Sequence, residues 1–494
     1  YFLEENLLEN VKINLQQNHE RKISMETIIQ HIALDLVKKI TKKAYSGGIN
    51  DIDALASDVL VDCRKAASLV IEAIYSQINV QIREDKAERK KLGLVLKEKE
   101  RKRELLTELG RLSLPRDYYY DRNNGRYVSV LDYITGIRAY ERIGNNLSAC
   151  MVNLATDMSY AKSAQLSCGE EVSRQTVKNH IMKVGSLEKG IESSLKKEIQ
   201  ELHIYADEDH VHMQKSDKEK GKKSRIVPLV TVTEGLDTDN SNRHRTRGKM
   251  HFVDEAFDTK ALWKSVEGYI GKIYDLTKVE KVYVHGDGGR WIKNGLEDLP
   301  QTVHVMDGYH LEKRLKELSV RFPSRGVRSR LTEAIKAGDR KKADKIVQSL
   351  YEIAEDDKES GKINEFGKYL MGNWEAIENR KTLNIPGSCT EAQVSHVLSE
   401  RFSRDPLGWS DKGLGKLTKL RVYVKNGGRI KAEDFREHER NTTYREYADR
   451  VINEAMEGAI DWSIFDRRPF VFNGASGTQI LLHEIACIKN TLWN

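Results

Sequence analysis

The part of this sequence that most constrains its fold lies between residues 202 and 306, where short apolar runs alternate with one long amphipathic segment. Runs rich in Val, Ile and Tyr indicate strands, and apolar residues repeated every three or four positions indicate a helix. The stretch is predicted to hold three successive strands, then a helix, then two more strands. In chain order these elements cover residues 202–213, 226–233, 249–257, 260–276, 281–284 and 302–306.

Acidic residues follow the apolar part of three of these strands. Asp207 follows that of the first strand, Asp287 lies in a Gly-Asp-Gly-Gly turn after the fourth, and Asp307 follows the fifth. Unpaired carboxylates are costly to bury, so acids at these positions need a cation. Oxygen ligands from separate strands suit two Mg²⁺ (or Mn²⁺) ions about 3.5 to 4 Å apart, as phosphodiester chemistry requires. The strand order and the acids together predict an α/β catalytic core with an RNase H-like mixed sheet.

The first metal ligand has two candidates. Asp207 and Asp209 are two residues apart, so they lie on the same face of the strand and alternation cannot choose between them. Asp207 is favoured because it directly follows the apolar run, and Asp209 stays a candidate metal ligand beside it.

Three motifs resemble one known family. They read Ile-Tyr-Ala-Asp-Glu-Asp-His-Val at 204–211, Gly-Asp-Gly-Gly-Arg-Trp-Ile at 286–292 and Met-Asp-Gly-Tyr-His-Leu at 306–311. In this order they resemble the signatures of the ISLre-type insertion-sequence transposases, which are catalogued as an uncharacterised protein family and are similar to the mutator-like DDE transposases. The resemblance covers roughly residues 111–420. It implies a DD(D/E) transposase that cleaves and transfers DNA strands in a metal-dependent reaction.

The resemblance also implies roles for single residues. Asp287 matches the second catalytic Asp of the mutator-like group, and Asp307 with His310 matches its Asp-x-x-His element. An all-helical insertion should follow the fifth strand, and a later helix should bring a final Glu, for which Glu391 is the candidate. Two alternatives remain open, because Glu391 also fits a capping box at 388–391 and Glu400 lies about 180° further round an α-helix.

Histidines near the aspartates support a rival interpretation. A mixed set of His and Asp could bind zinc or manganese in a histidine-rich metal-dependent phosphoester hydrolase. A domesticated, non-catalytic DNA-binding protein is a further alternative. The tyrosine-recombinase pattern and the Walker loop are absent from the sequence, so neither class is indicated. The histidines concerned are His203, His210, His212, His285, His304 and His310.

Candidate DNA contacts lie in three other places. The third of three short helices predicted between residues 146 and 184 looks like the recognition helix of a helix-turn-helix. A basic run precedes the third strand and could neutralise phosphates. Trp409 could stack on a base, although such a residue is more often a packing anchor. The candidate DNA-binding residues are Arg174, Gln175, Lys178, Asn179, Arg243, Arg245, Arg247 and Trp409. The expected partners are double-stranded DNA, both transposon ends and target, bound by a homo-oligomer that is at least dimeric on DNA.

The remainder of the chain is predicted from periodicity and turn signals. Apolar spacing to about residue 109 indicates helices, residues 117–130 a β-hairpin, and residues 186–200 a charged helix. The predicted divisions are 1–110 helical, 111–140 β-hairpin, 141–200 helix-turn-helix-like, 201–310 first part of the core, 311–385 helical insertion, 386–420 last part of the core and 421–494 C-terminal helical region.

The composition of the chain limits the class of protein and the cellular compartment that can be expected. The net charge is +7, and 32% of residues are charged against 39% hydrophobic. No apolar run reaches the roughly 18 residues needed to span a bilayer, and the first residues lack the order of a signal peptide. The five cysteines are scattered and form no C-x-x-C pair, so neither a disulfide framework nor a zinc ribbon is predicted. We expect a cytoplasmic, nucleoid-associated bacterial protein.

Overall fold

The structure is a computed structural model of the 494-residue chain. It describes residues 25–138, 140–169, 172–187, 195–214, 223–238, 244–297, 299–322, 325–383, 389–405, 407–435, 444, 446–447 and 449–453. The chain divides into two compact units, one formed by residues 1–147 with 436–494 and the other by residues 148–435.

The first unit begins with helices and continues with short strands. The long second helix is capped by Asp51, whose side chain accepts a hydrogen bond from the backbone N–H of Ala54 at 3.0 Å. Such a cap satisfies one of the free N–H groups at a helix start. The elements are α1 (Met25–Tyr45), α2 (Ile52–Glu84), α3 (Lys86–Lys91), β1 (Leu94–Arg101), β2 (Glu104–Thr107), β3 (Gly110–Ser113), β4 (Arg116–Asp121), β5 (Arg126–Val128) and α4 (Val130–Thr135).

These strands form two small sheets. Strand β4 lies between β1 and β5 in a three-stranded antiparallel sheet, and β2 pairs with β3. The hairpin predicted at 117–130 is confirmed, with Tyr120 opposite Tyr127 in the register. Buried residues from α2, the sheet and α4 form the core of this unit.

The prediction of a helix continuing to about residue 109 is wrong from residue 94 onward. Gly93, with a φ of 70°, follows α3, and the chain then enters β1. The alternating charges at 97–101 suit a helix surface and a half-exposed strand equally well. Pairing with β4 decides between them, and that pairing is a contact distant in sequence.

The second unit contains the larger sheet and most of the helices. Its elements up to the fifth strand of that sheet are α5 (Asn145–Asp157), which begins just before it, α6 (Tyr160–Cys168), α7 (Arg174–Lys183), β6 (Glu201–His212), β7 (Ser224–Thr233), β8 (Leu236–Thr238), β9 (His244–Thr246), β10 (Met250–Phe252), α8 (Thr259–Ile273), β11 (Lys281–Gly286), α9 (Arg290–Glu297) and β12 (Thr302–Met306).

The large sheet is mixed and has the order β10-β7-β6-β11-β12. The first three strands of this sheet along the chain, β6, β7 and β10, pair antiparallel, whereas β11 and β12 run parallel to β6. All five predicted strands are therefore confirmed, although the third is only Met250–Phe252. Because β6, β11 and β12 are parallel, the carboxyl ends of β11 and β12 lie side by side, next to the part of β6 that follows Tyr205.

Helix α8 covers one face of this sheet. Its buried residues, among them Leu262, Val266 and Ile270, repeat every four positions and pack in one core with the strands. This spacing places them on a single helix face. The indole N–H of Trp263 donates to the backbone oxygen of Trp291 at 3.0 Å and ties α8 to α9.

A helical layer follows β12, as predicted for residues 311–385. Its five helices have their own buried core. The chain then continues through a short helix, a π-helical turn and a final long helix. These elements are α10 (Gly308–Ser319), α11 (Val327–Ala337), α12 (Arg340–Tyr351), α13 (Asp357–Gly372), α14 (Trp374–Thr382), α15 (Thr390–Val394), the π turn Ser395–Ser399, α16 (Glu400–Phe402) and α17 (Asp411–Lys425).

Three other predictions need correction or lie outside the described residues. The charged helix predicted at 186–200 does not form in its described part, residues 186–187 and 195–200. Strands β8 and β9 form a hairpin where only a basic loop was predicted. Of the C-terminal region 421–494, the structure shows the end of α17 and a 3₁₀ turn at Ala432–Phe435, and residues 454–494 lie outside the described residues.

Among the described helices there is none whose length and apolar content would let it cross a membrane.

Candidate functional site

Three aspartates lie at the carboxyl edge of the large sheet. The last parallel pair between β6 and β11 is Tyr205 with His285, so Asp207 lies just beyond the point where β11 leaves β6. Asp287 and Asp307 each directly follow their own strand. The strand ends therefore bring together acids that are far apart in sequence.

Asp207 is the most buried of the acids around this edge that are not helix caps, with 5% of its surface exposed. Its Oδ1 accepts a hydrogen bond from the backbone N–H of Glu208 at 2.8 Å. Its Oδ2 is buried and has no hydrogen-bond partner among the described residues. Burial raises the pKa of Asp207 to about 7, and the carboxylates of Asp287 and Asp307 act in the same direction. A buried oxygen without a donor is a position that a cation would stabilise.

His310 lies between two of these carboxylates. Asp307 is the N-cap of α10, and its Oδ2 is 3.0 Å from Nδ1 of His310 on the first turn of that helix. Nε2 of His310 is 3.8 Å from Oδ1 of Asp207. The hydrogen bond with Asp307 raises the pKa of His310, and the negative charge of Asp207 adds to the effect. Asp307 thus fixes the orientation of an imidazole that faces Asp207.

Glu391 reaches the same place from a different element. One ligand atom each from Asp207, His310 and Glu391 lie within 4.8 Å of one another, and no other such cluster of three occurs among the described residues. Glu391 is exposed and lies on α15. The cap of this helix is Cys389, which makes no side-chain cap hydrogen bond and puts Glu391 one position short of the place that a capping box uses.

Glu400 points elsewhere. Its Oε1 is 2.8 Å from Nδ1 of His396, and its Oε2 is 3.7 Å from the guanidinium of Arg421. A π-helical turn at Ser395–Ser399 separates it from Glu391, so the α-helical angle between the two does not apply. The structure brings Glu391 to the edge of the sheet and leaves Glu400 in an ion-pair network.

The remaining predicted ligands differ in their surroundings. Asp209 is half-buried, and its Oδ2 accepts a hydrogen bond from the hydroxyl of Ser403 at 2.8 Å, whereas the Oδ2 of Asp207 is buried without a partner among the described residues. Asp287 is half-buried, and its Oδ1 accepts from the backbone N–H of Gly289 at 2.8 Å. It stands outside the cluster of three but is close enough to influence the pKa of both Asp207 and His310.

The glycine after Asp287 has a clear conformational role. Gly288 has a φ of 81°, in the left-handed region that side chains disfavour. A Cβ at this position would also collide with the side-chain amide of Asn373. Both constraints keep the turn that carries Asp287 tight.

Three of the six histidines near the site, His203, His285 and His304, are packing residues. Nδ1 of His203 is 3.1 Å from Nε2 of His285, and the His285 ring stacks on Tyr205 with centroids 4.6 Å apart. Burial lowers the pKa of His285 to about 3 and that of His304 to about 4, so both are neutral at pH 7. His210 and His212 are exposed. Of the six histidines, only His310 joins a cluster of potential metal ligands among the described residues.

The candidate DNA contacts are divided between surface and interior. On α7, Arg174 and Gln175 are exposed, and Nε2 of Gln175 donates to Oδ1 of the exposed Asn179 at 2.9 Å. Lys178 on the same helix is half-buried, and the cap Ser173 accepts from the N–H of Thr176.

The basic run before β10 is partly engaged in the fold. Arg247 is exposed but donates to the carbonyl of Glu234 at 2.8 Å and to Asp237 at 3.0 Å. Arg245 is exposed as well, and Arg243 lies outside the described residues.

Trp409 is a packed residue, with 7% of its surface exposed. Its indole N–H donates to the carbonyl of Phe402 at 3.0 Å, and the guanidinium of Arg401 lies 4.8 Å from its ring centroid. A base-stacking ring must offer a face that a base can reach, and a ring this buried offers none, so the structure favours the packing-anchor alternative at this position.

Sequence reasoning missed two residues that support the site. Nε1 of Trp291 donates to Oε2 of Glu208 at 2.6 Å and so links α9 to the strand that carries Asp207. Arg421 is 2% exposed and donates to the carbonyls of His396 and Val397 in the π turn. Trp291 belongs to a motif that was recognised, but a single arginine within a long helix gives no sequence signal.

Comparison with known proteins identifies relatives across most of the chain. The model of an uncharacterised protein family, UPF0236, matches residues 47–439. One UPF0236 protein of Caldanaerobacter subterraneus subsp. tengcongensis is 35% identical over 421 residues, which cover 84% of this chain and 87% of that protein. Another from the same organism is 36% identical over 366 residues, covering 74% and 77%. A UPF0236 protein of Streptococcus gallolyticus is 22% identical over 310 residues, covering 60% and 67%.

A solved structure, the Drosophila P element transposase strand transfer complex, matches 66% of this chain and 94% of its own with a TM-score of 0.21 and 12% identity, which is too low to support a conclusion about fold. Because the family model matches residues 47–439 and a relative is 35% identical over 84% of this chain, this chain belongs to the UPF0236 family.

Proposed function

We propose that this protein is a DD(D/E) transposase that cleaves and transfers the DNA strands of an insertion sequence in a metal-dependent reaction. The observation that carries the proposal is the cluster at the carboxyl edge of the sheet, where Asp207 meets His310 and Glu391. The sheet order, with three antiparallel strands followed by two parallel ones, supports an RNase H-like assignment of the core. The motif resemblance to ISLre-type transposases points in the same direction.

The donor set fits a divalent cation. Asp207 has a buried oxygen without a hydrogen-bond partner among the described residues, and Glu391 is exposed toward solvent beside it. Carboxylate oxygens from separate elements are the ligands that Mg²⁺ and Mn²⁺ prefer. We assign Asp207, Asp287 and Glu391 to two such ions, with Asp209, whose Oδ2 accepts from Ser403, as a further candidate ligand. When bound, the ions would activate water or a 3′-hydroxyl and stabilise the leaving oxygen.

The other candidate residues have different roles in the proposed reaction. Asp307 holds His310 by a hydrogen bond, and the raised pKa of His310 keeps a larger share of its imidazole protonated at neutral pH. A protonated imidazole beside Asp207 is suited to donate to a phosphate oxygen. The exposed residues of α7, Arg174, Gln175 and Asn179, are placed to contact duplex DNA, and we expect at least a dimer when both ends of the element are bound.

The two candidate glutamates can be separated by metal binding. We expect Glu391→Gln to weaken Mn²⁺ binding at least about tenfold, because the site loses one negatively charged ligand. Glu400→Gln is the matched control and should leave Mn²⁺ affinity unchanged, since Glu400 pairs with His396 and Arg421. Titration followed by the electron paramagnetic resonance signal of free Mn²⁺ measures both. A loss of affinity in the Glu400 variant alone would reverse the assignment.

The function is tested by incubating the protein with duplex DNA carrying candidate element ends and Mn²⁺, and mapping nicks and joined products. The wild type should cleave at the element ends, and Asp287→Asn should bind the same DNA without cleaving it. Cleavage by Asp287→Asn at the wild-type rate would contradict the assigned site. Binding without cleavage by the wild type would favour a domesticated DNA-binding protein.

A histidine-rich phosphoester hydrolase is the second candidate, because one histidine does join the acidic cluster. A hydrolase of this kind should copurify with tightly bound zinc and should hydrolyse a small aryl phosphate. The transposase should show weak, exchangeable Mg²⁺ or Mn²⁺ binding and no activity on the small substrate. Elemental analysis and a phosphatase assay distinguish the two.

A further inference from the structure

The three-stranded sheet of the first unit exposes an aromatic and basic face that the proposed transposase chemistry does not use. We propose that this face binds unpaired nucleotides of single-stranded DNA by stacking them on three tyrosines. The choice of DNA over RNA rests on the proposed function of the second unit. The stacking site itself rests only on residues of the first unit.

The three tyrosines form one continuous surface. Tyr118 and Tyr120 are two residues apart on β4, and Tyr127 on β5 lies opposite Tyr120 in the register. The rings of Tyr118 and Tyr127 are stacked, with centroids 6.0 Å apart and an interplanar angle of 12°. Tyr120 and Tyr127 lie 5.2 Å apart at 60°. We call this surface the tyrosine face.

The tyrosine face is exposed while the opposite side of the same strand is buried. Tyr127 has 58% of its surface exposed, and Tyr118 and Tyr120 are half-buried. Tyr119 and Asp117, which point to the other side, are 1% exposed each. The burial of that side explains the fold of the sheet, but it does not require aromatic residues on the solvent side. A cluster of exposed rings at one place on a surface is typical of a binding site.

Basic side chains lie over these rings. The guanidinium of Arg101 is 4.9 Å from the centroid of Tyr118, and the ammonium of Lys97 is 5.9 Å from that of Tyr120. These distances are in the range of cation–π contacts, which hold the cations beside the stacking surface. The arrangement combines what a nucleic-acid strand needs, a π surface for its bases and positive charge for its phosphates.

The charge around the tyrosine face is positive overall. The acids nearby are Glu98, which is 3.7 Å from Arg101, and Glu100, which pairs with Arg83 at 3.0 Å. Six exposed basic residues in β1, the following residue and the β4–β5 hairpin outnumber these two glutamates, and the other two acids of these strands, Asp117 and Asp121, are buried. The six basic residues are Lys97, Lys99, Arg101, Lys102, Arg122 and Arg126.

The excess of positive charge, together with the exposed rings, indicates which partner the tyrosine face binds. A second copy of the chain would bring two positive surfaces together, which is unfavourable. The phosphates of duplex DNA could pair with the basic side chains, but its bases could not stack on the tyrosines. In a duplex the base faces are hidden in the stack, and only edges and phosphates are accessible. Unpaired nucleotides satisfy both, and stacking on aromatic side chains is independent of base identity. The tyrosine face therefore fits a single strand of mixed sequence.

The test uses the full chain in EDTA, so that binding is measured without metal or cleavage. A fluorescently labelled single strand of about 16 nucleotides is titrated and followed by anisotropy, beside the same sequence as a duplex and as RNA. Tyr127→Ala should lower affinity for the single strand about tenfold and leave duplex affinity unchanged. Tyr127→Phe should keep wild-type affinity because the ring is retained. Tyr140→Ala, which removes a tyrosine that is 94% exposed in the same unit, is the matched control and should have no effect.

A second readout guards against indirect effects. Photocrosslinking of a 5-iodouracil strand should label the peptide that contains Tyr118, Tyr120 or Tyr127. Unchanged single-strand affinity in Tyr127→Ala, an equal loss of duplex affinity, or tighter binding of RNA would each overturn the proposal. So would a change of oligomeric state in light scattering without a change in single-strand affinity, which would make the face a protein interface. Cleavage of element ends has no part in these outcomes, so this proposal and the proposed transposase activity can fail separately.

Discussion

Asp207→Asn is expected to reduce cleavage and strand transfer at least about 10³-fold while the protein remains folded. The substitution keeps the shape of the side chain and removes the charge that would bind a metal ion. A loss of about 10³ in rate corresponds to about 4 kcal/mol of transition-state stabilisation, within the several kcal/mol that a metal ion supplies. Rates from single-turnover assays on labelled element ends measure the effect.

The same variant should be more stable than the wild type in EDTA. The pKa of Asp207 in the folded state, about 7, lies above its ordinary value, so the unfolded state binds fewer protons between pH 4 and 7. The wild type therefore loses stability as pH rises through this window, and each unit by which the pKa is raised is equivalent to about 1.4 kcal/mol. An asparagine does not ionise and avoids this loss. Thermal melts at pH 5 and pH 8 in EDTA should show the difference in Tm growing with pH.

Asp209→Asn is the matched control for both measurements. It lies on the same strand face, but its carboxylate accepts a hydrogen bond from Ser403, so its loss should leave most of the activity. If Asp209→Asn abolished cleavage and Asp207→Asn did not, Asp209 would be the first metal ligand. Equal loss in both would mean that both acids bind the ions.

Arg421→Ala should lower the free energy of unfolding by about 2 to 6 kcal/mol, because the buried carbonyls of Thr156 and Val397 each lose their donor at about 1 to 3 kcal/mol. The Arg421 guanidinium donates to the carbonyl of Thr156 at 2.7 Å and to that of His396 at 2.8 Å, and it contacts Asp157. The carbonyl of Thr156 would be left without this donor in a buried place, whereas Asp157 is exposed to water. Urea denaturation followed by tryptophan fluorescence measures the change.

The Arg421→Ala substitution should also disturb the candidate metal site. Arg421 holds the π turn between Glu391 and Glu400 by donating to the carbonyls of His396 and Val397. Mn²⁺ affinity of the folded fraction should fall as well. Arg404→Ala, an exposed arginine two residues beyond α16, is the control and should change stability by no more than about 0.5 kcal/mol. A stability change for Arg421→Ala as small as that of the control would show that the buried network contributes little.

Local sequence patterns predicted that acids follow the apolar runs of three strands of the large sheet. Strand-forming runs that end in Asp207, Asp287 and Asp307 are visible because each run is short, apolar and interrupted by charge. Parallel strands align their carboxyl ends, so acids placed there meet whatever the connections between them. The amphipathic period of α8 and the helical insertion were predicted for the same reason, since burial of one face imposes its repeat on the sequence.

Other predictions failed where two local patterns were equally acceptable. The charged stretch at 97–101 suits a helix surface or an exposed strand, and pairing with β4 made it a strand. The ring of Trp409 suits a base or a core, and the packing of Phe402 and Arg401 around it placed it in the core. The strand at 97–101 depends on pairing with another strand, and the position of Trp409 depends on its burial. Neither can be read from the local sequence.

The sequence by itself determined that acids follow the apolar runs of the strands and that helices come after the sheet, because strand and helix periods and the cost of burying charge act locally. Only the tertiary structure decided which acids are free to act. The Oδ2 of Asp207 is buried without a partner among the described residues, whereas Asp209 is half-buried and accepts from Ser403. Glu400 pairs with His396 and Arg421, while Glu391 lies beside His310. These choices depend on hydrogen-bond donors that come from other elements of the fold, and no pattern along the chain encodes where those donors lie.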